Sequence, residues 1–126
     1  MKEITAADQL AILAVITKAD ALATRRDVVS YVELFTPEGK IIGAKGNAKG
    51  KQELTSFTKA TWQKEPETTF HLTIAPLIVG QTEAAVQTQS TLLLVDGATN
   101  KIINTRQIKQ TLVFTNKWLI SSREVK

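Results

Sequence analysis

His71 is the single histidine of the 126-residue chain, and an imidazole is the side chain best suited to move a proton near neutral pH. It lies in the run TFHLTIAPLIV, which is typical of a strand, and it shares one strand face with Thr69 and Thr73. Asp20 falls on a predicted helix, on the same face as Thr24 one turn later. His71 is therefore the first candidate for proton transfer, and Asp20 is the second candidate catalytic residue on the hypothesis that its helix face points into the same cavity as the ring.

Both residues also have a structural interpretation. His71 fits equally well as a partly buried, hydrogen-bonded histidine with no chemical role. Asp20 fits as a solvated acid or as one paired with Lys18, because unpaired carboxylates are rarely buried. The sequence leaves these alternatives open.

Hydroxyl and aromatic side chains near these residues are candidates for binding a small molecule. The candidate ligand-binding residues are Thr17, Thr24, Tyr31, Trp62 and His71. The two large aromatic residues are most simply core, and Trp62 is the one that we also expect at a pocket mouth. The later strands add hydroxyls and amides that either orient a polar ligand or lie under a second subunit: Thr88, Gln89, Ser90, Thr105, Gln107 and Gln110.

Composition excludes several classes of site. The chain has no cysteine, which excludes thiolate nucleophiles, disulfides, zinc ribbons and iron–sulfur clusters. One histidine excludes any site that needs two imidazoles. We therefore expect no metal site and no cofactor.

The net charge of +4 raises the question of a nucleic-acid partner. The densest basic stretch, GKIIGAKGNAKGK, contains neither the aromatic side chains nor the arginines of nucleic-acid platforms, and we expect a solvated surface and no nucleic-acid partner. Arg25 and Arg26 either clamp an anion or complement the dipole at a helix end, and the second interpretation is the simpler one.

The apolar run over residues 10–16 lacks the basic flank and cleavage pattern of a signal peptide. No stretch reaches the 18 or so consecutive apolar residues of a membrane span. We expect a cytoplasmic protein without membrane contact.

Helical periodicity marks the first half of the chain. Thr5 and Asp8 have the spacing of a capping box and predict a first helix that runs to about Thr24. Asp27 caps a second helix, VVSYVELF, and residues 51–64 form a third that ends near Pro66. Between them, residues 36–39 predict a turn, GKIIGA a short strand and residues 46–50 a loop.

From residue 67 onward the apolar residues no longer recur at helical spacing but at every second position, which is the period of a strand. The runs ETTFHLTIAPLIV, EAAVQTQSTLLLV, KIINTRQIKQTLVF and WLISSREV predict four long antiparallel strands joined by hairpins. Helices followed by strands predict an α+β fold, with three N-terminal helices packed in a curved antiparallel sheet, in a single domain over residues 1–126. Phe70, Leu72 and Ile74 lie opposite His71, so the outer sheet face also needs cover, and we expect a homodimer through that face.

Four segments resemble the SnoaL-like branch of the nuclear transport factor 2-like superfamily. They are RRDVVSYVELFTPEG, KGKQEL, TFHLTIAPLIV and NKWLISSRE, and the resemblance covers residues 20–124. It implies a cone in which a curved sheet wraps a long helix and a pocket opens between them. The superfamily includes ketosteroid isomerases, polyketide cyclases, dehydratases, epoxide hydrolases and dehydrochlorinases, together with proteins that only bind.

In family members that use the histidine, a carboxylate near the end of the first helix orients the ring. The matching position here is Thr24, or Ala23 if the helix is shifted by one residue, and neither is an acid. We therefore expect no carboxylate within about 2.6 to 3.2 Å of the His71 ring. The leading hypothesis is a protein that binds an unknown small molecule, with weak or absent catalysis.

Two alternatives remain. One is a lyase, isomerase or cyclase that acts on a small apolar or polyketide-like compound through His71 and Asp20. The other is a protein-interaction module that uses the sheet face. The distance between His71 and Asp20 distinguishes the first two hypotheses, and an occupied apolar sheet face favours the third.

Overall fold

The computed structural model describes residues 3–82 and 85–126. Its helices are α1 (Ala6–Arg25), α2 (Val28–Val32) and α3 (Gly50–Gln63). Its strands are β1 (Phe35–Gly43), β2 (Gly46–Lys49), β3 (Thr69–Gln81), β4 (Ala85–Asp96), β5 (Lys101–Phe114) and β6 (Trp118–Val125). The predicted α+β order is confirmed, and the predicted start of the second long strand at Glu83 lies outside the described residues.

The caps of the first two helices are those that the sequence predicts. Thr5 and Asp8 form a complete capping box on α1, and the Asp27 side chain accepts from the Ser30 amide at the start of α2. The second helix stops earlier than predicted, since the Leu34 carbonyl accepts from the Ile120 amide and the chain turns into the sheet. No helix in the described ranges is long and apolar enough to cross a membrane.

The sheet runs in the order β2-β1-β6-β5-β4-β3. The four long strands pair antiparallel as predicted, whereas β1 lies parallel to β6. The predicted turn over residues 36–39 is wrong: these residues belong to β1, where a shift in register between Phe35 and Lys40 absorbs the Pro-Glu-Gly segment. The predicted loop over residues 46–50 is also wrong, because β2 pairs with β1 and α3 begins at Gly50.

The sheet wraps around α1. That helix contacts both β3 at the sheet edge and β6 three places further in, which requires strong curvature. The α3 helix covers β1 and β2 at the other end. Leu54, Leu112 and Ile120 are completely buried in the resulting core, so most of the hydrophobic stabilisation comes from helices closing one face of the sheet.

A bulge in β3 changes which side chains face the helix. Ala75 has a φ of 50°, and the register with β4 shifts between Ile74 and Leu77. Before the bulge, Leu72 and Ile74 alternate outward; after it, Leu77 and Ile78 lie opposite the first half of α1. The bulge thus gives that end of the cone an apolar wall.

Candidate functional site

The His71 ring has a carboxylate partner that the sequence analysis did not foresee. Its Nε2 lies 2.7 Å from Oε1 of Glu65, and both side chains are largely buried, with 7% and 15% of their surfaces exposed. The expectation that no carboxylate reaches this ring is therefore wrong. Trp62 packs edge-on against the ring with centroids 6.1 Å apart. The histidine is held on two sides.

Arg26 fixes the position of Glu65 beside the His71 ring. Its guanidinium donates to the backbone carbonyl oxygens of Trp62, Glu65 and Pro66, the last two at 2.8 and 2.7 Å. These bonds fix the connection between α3 and β3 just as it leaves the helix. The sequence analysis considered Arg25 and Arg26 as an anion clamp or as cations at a helix end. Arg26 instead binds backbone carbonyl groups of the chain itself.

Asp20 meets a different residue of β3. Its two carboxylate oxygens accept from the Thr73 amide at 2.7 Å and from the Thr73 hydroxyl at 2.8 Å, and it makes no hydrogen bond to the His71 ring. Burial raises the pKa of Asp20 above its ordinary value of 3.8; the Thr73 hydrogen bonds, then Arg123 and His71, offset part of this effect. Asp20 thus binds the residue two positions after His71 on β3. It does not bind His71 itself, so the two side chains do not form a dyad.

A cavity of about 400 Å³ opens at the other end of the cone. It lies between the first half of α1 and the part of β3 beyond the bulge. Its apolar walls come from Ile4, Ile12, Leu13, Ile16, Pro76, Leu77 and Ile78, with Glu3, Gln9, Gln81 and Thr88 as the polar groups. This is a suitable shape and surface for a small, mostly apolar molecule.

None of the candidate catalytic and ligand-binding residues lines this cavity. Tyr31 and Trp62 are buried together at a ring distance of 4.9 Å, and the Thr24 hydroxyl accepts from the His71 amide at 3.0 Å. Thr17 is exposed on α1. The structure thus gathers Thr24, Trp62 and His71 at one junction and leaves the cavity almost entirely to residues that the sequence analysis did not select.

A weak signal for Glu65 was present in the sequence. It lies in the short connection between a predicted helix and the strand of His71, six positions before the histidine. For Arg26 no pattern distinguished a carbonyl-binding side chain from an ordinary helix-end cation. Among the described residues, no group of three or more His, Asp or Glu side chains is arranged to hold a metal ion.

Replacement of Asp20 by asparagine tests the effect of burying its charge. Between pH 3.8 and its raised pKa, the folded chain keeps a proton that the unfolded chain has released, so wild-type stability falls as pH rises. An asparagine side chain retains hydrogen-bonding groups for Thr73 without this cost. We expect D20N to gain stability relative to wild type as pH rises above 3.8, measured by urea unfolding across pH.

Asp96 supplies a control, because its pKa is shifted in the opposite direction to that of Asp20. The Thr68 hydroxyl, donating to its carboxylate, lowers the pKa of Asp96, so its stabilising effect is present above pH 3.8 and is lost as pH falls below it. D96N should lose stability at neutral pH and approach wild type in acid. A D20N profile that follows that of D96N would contradict the burial argument.

The hydrogen bond to Glu65 also predicts which ring nitrogen carries the hydrogen in neutral His71. A carboxylate oxygen accepts, so Nε2 donates and the neutral ring is the Nε2–H tautomer. Nitrogen-15 long-range correlation spectra at about pH 9 report this for the single histidine without assignment ambiguity. E65A should shift the tautomer balance, and a wild-type ring protonated on Nδ1 would contradict the assignment.

Comparisons with known proteins agree with the fold. A solved protein of unknown function with a cystatin-like fold from Nostoc punctiforme is 25% identical, with a TM-score of 0.90 over 98% of this chain and 93% of that one. ActVI-ORFA from Streptomyces coelicolor is 15% identical, with a TM-score of 0.82 over 93% and 95% of the two chains. A protein from Catenulispora acidiphila in complex with S-DNPA is 17% identical, with a TM-score of 0.83 over 96% and 93%.

No curated protein matches the sequence. The sequence model of a SnoaL-like domain matches residues 12–118, which span both the His71 junction and most of the cavity wall. The three N-terminal helices, the curved sheet and this match establish that the chain belongs to the SnoaL-like domain family, within the nuclear transport factor 2-like fold.

Proposed function

We propose that the protein binds a small, largely apolar molecule in the cavity between α1 and β3, with weak or absent catalysis. The observation that carries this proposal is the cavity of about 400 Å³ with apolar walls. Its volume is within the range of ordinary ligand sites. The β3 bulge supports the same conclusion, since it turns Leu77 and Ile78 toward the helix.

The position of the His71–Glu65 pair supports binding over proton transfer. Neither residue lines the cavity, and Glu65 already occupies Nε2. A general base must come within hydrogen-bond reach of the proton that it removes. The pair instead joins the turn after α3 to β3, in contact with Trp62.

A lyase, isomerase or cyclase is the second candidate, favoured by that same 2.7 Å contact. A carboxylate on one ring nitrogen is the arrangement that prepares the other nitrogen for proton transfer. On this hypothesis the carboxylate partner is Glu65 and not Asp20, whose oxygens bond to Thr73. Turnover that is lost in H71N, while ligand binding persists, would favour the enzyme.

The solved proteins of similar fold support a binding role only in showing that this architecture is compatible with one. The Catenulispora acidiphila protein was solved in complex with S-DNPA, so a binding role is compatible with this fold in at least one case. At 17% identity nothing about the ligand itself transfers. The ligand here must be inferred from the residues of this chain.

Filling the cavity should abolish binding. Leu13 lines the cavity and is 40% exposed, so L13W adds volume there with little strain on the core. Leu10 lies on the same helix, is 69% exposed and does not line the cavity, which makes L10W the matched control. We expect native mass spectrometry to show a co-purified small molecule in wild type and L10W but not in L13W. A ligand retained in L13W would place the binding site elsewhere.

We also propose that the protein is a homodimer through the outer face of the sheet. Phe70, Leu72 and Ile74 on β3 and Ile102 on β5 are each at least 40% exposed. Phe70 pairs with Val95, which pairs with Ile102, so the apolar side chains continue across neighbouring strands. A continuous apolar face of this kind can match a second copy of itself, and a stable dimer would bury about 1,200 Å² or more in total.

A single charge should disrupt that dimer. We expect L72E to be monomeric in sedimentation at micromolar concentration, where the wild type sediments as a dimer. V29E is the control, because Val29 is 65% exposed on α2, away from the sheet face. A wild-type monomer would contradict the proposal.

A further inference from the structure

Three polar side chains form a row across the inner face of the sheet. Thr88 on β4 pairs with Gln110 on β5, and Gln110 pairs with Arg123 on β6. Cross-strand partners lie on the same face, and all three are buried, with 2%, 1% and 8% of their surfaces exposed. The row crosses a face that is otherwise mainly Val, Leu and Ile.

These buried groups lack protein partners. Among the described residues, Oγ1 of Thr88 and Oε1 of Gln110 make no hydrogen bond, and neither does Oγ of Ser90, two residues further along β4. Within the same residues, the Arg123 guanidinium makes no hydrogen bond and no ion pair, in contrast to Arg26. Buried polar groups in folded proteins nearly always have partners. Three of the five such oxygens among the described residues lie on adjoining positions of this face, the other two being those of Thr58 and Thr69, and this grouping beside an unpaired guanidinium indicates a site built for something else.

The charge of Arg123 is also unbalanced. Asp20 interacts with it electrostatically, but both Asp20 oxygens accept from Thr73 and no ion pair forms. A guanidinium with only 8% of its residue surface exposed and no paired anion is incompletely solvated, which leaves its N–H groups available to an acceptor. Because guanidinium N–H groups form a planar fork, their best-matched acceptor is a carboxylate.

The row is continuous with the cavity. Thr88 is both a lining residue of the 400 Å³ cavity and the first member of the row. Gln110 and Arg123 do not line the cavity themselves but follow Thr88 along the row, so a ligand whose apolar part contacts Ile12 and Ile78 has its other end directed at them, and their side chains must move to admit it. The apolar wall and the cationic end would bind the two ends of one molecule.

We propose that Thr88, Gln110 and Arg123 form a carboxylate-binding subsite, and that the ligand is a small organic acid with an apolar body. This inference rests on the proposed binding function and narrows its ligand class. Arg123 donates to the carboxylate and the Thr88 hydroxyl donates beside it. Oε1 of Gln110 accepts from a hydroxyl or amide hydrogen of the ligand, if one is present.

The test compares two probes of the same shape, hydrocinnamate and its neutral amide, hydrocinnamamide. In wild type, we expect hydrocinnamate to bind at least about tenfold more tightly than the amide, by calorimetry. It should shift the Nε–H resonance of Arg123 and the methyl resonances of Ile12 and Ile78. R123M should remove the preference for the acid and leave amide binding within about twofold.

R25M is the matched control, since Arg25 is exposed and the substitution lowers the net charge by the same amount. It should leave the preference intact. If R123M does not fold, the Nε–H resonance of Arg123 in wild type still tests the subsite. An Arg123 resonance that does not shift when hydrocinnamate is added overturns the subsite.

The outcomes separate the two proposals. Equal binding of both probes, with shifts at Ile12 and Ile78 only, overturns the carboxylate subsite and leaves the binding cavity supported. No binding of either probe and no shift at any of these residues overturns the subsite, whereas the proposed function itself fails only if wild type also carries no co-purified molecule. An equal loss of acid binding in R25M and R123M would show a general charge effect and also overturn the subsite.

Discussion

The guanidinium of Arg26 donates to three backbone carbonyl oxygens, one in the last turn of α3 and two just after it, and this contact joins three elements of the fold. It connects the end of α1 to the end of α3 and to the entry of β3. Arg26 itself has a left-handed φ of 58°, which ends α1 and directs its side chain across the junction. Charge-assisted bonds to carbonyl groups are stronger than neutral ones, and several from one side chain hold a turn in a single conformation.

Much of the polar chemistry at that end of the cone follows from this junction. With the turn fixed, Glu65 meets the His71 ring, Trp62 packs on it, and Thr24 accepts from its amide. One turn earlier on α1, Asp20 binds Thr73 in the same way. The hydrogen-bonding groups of α1 thus anchor edge strand β3, which explains why an amphipathic helix carries Asp and Thr on a half-buried face.

In the part of the chain that the structure describes, most polar side chains at the His71 junction have partners, apart from the Thr69 hydroxyl, whereas several on the inner sheet face have none. At the junction, His71, Asp20 and Thr73 have protein partners, which is the arrangement of a structural network. Along the inner sheet face, Oε1 of Gln110 and Oγ of Ser90 have none among the described residues. Of the unpartnered oxygens in the described ranges, that of Thr88 is the one that also lines the cavity, so it marks where unsatisfied hydrogen-bonding capacity and room for a ligand coincide.

The amino-acid sequence determined the elements whose signals are local. Thr5 with Asp8, Asp27, and the change of period near residue 67 specify caps, helices and long strands through interactions within a few residues. The same local rules misassigned residues 36–39, where pairing with β6 overrides a Pro-Gly turn signal. Tertiary structure alone decided that Glu65 reaches His71, that Asp20 binds Thr73, and that Arg123 lies beside Gln110. Those contacts depend on strand register, on one bulge and on the path of a turn, and small shifts in each exchange one partner for another.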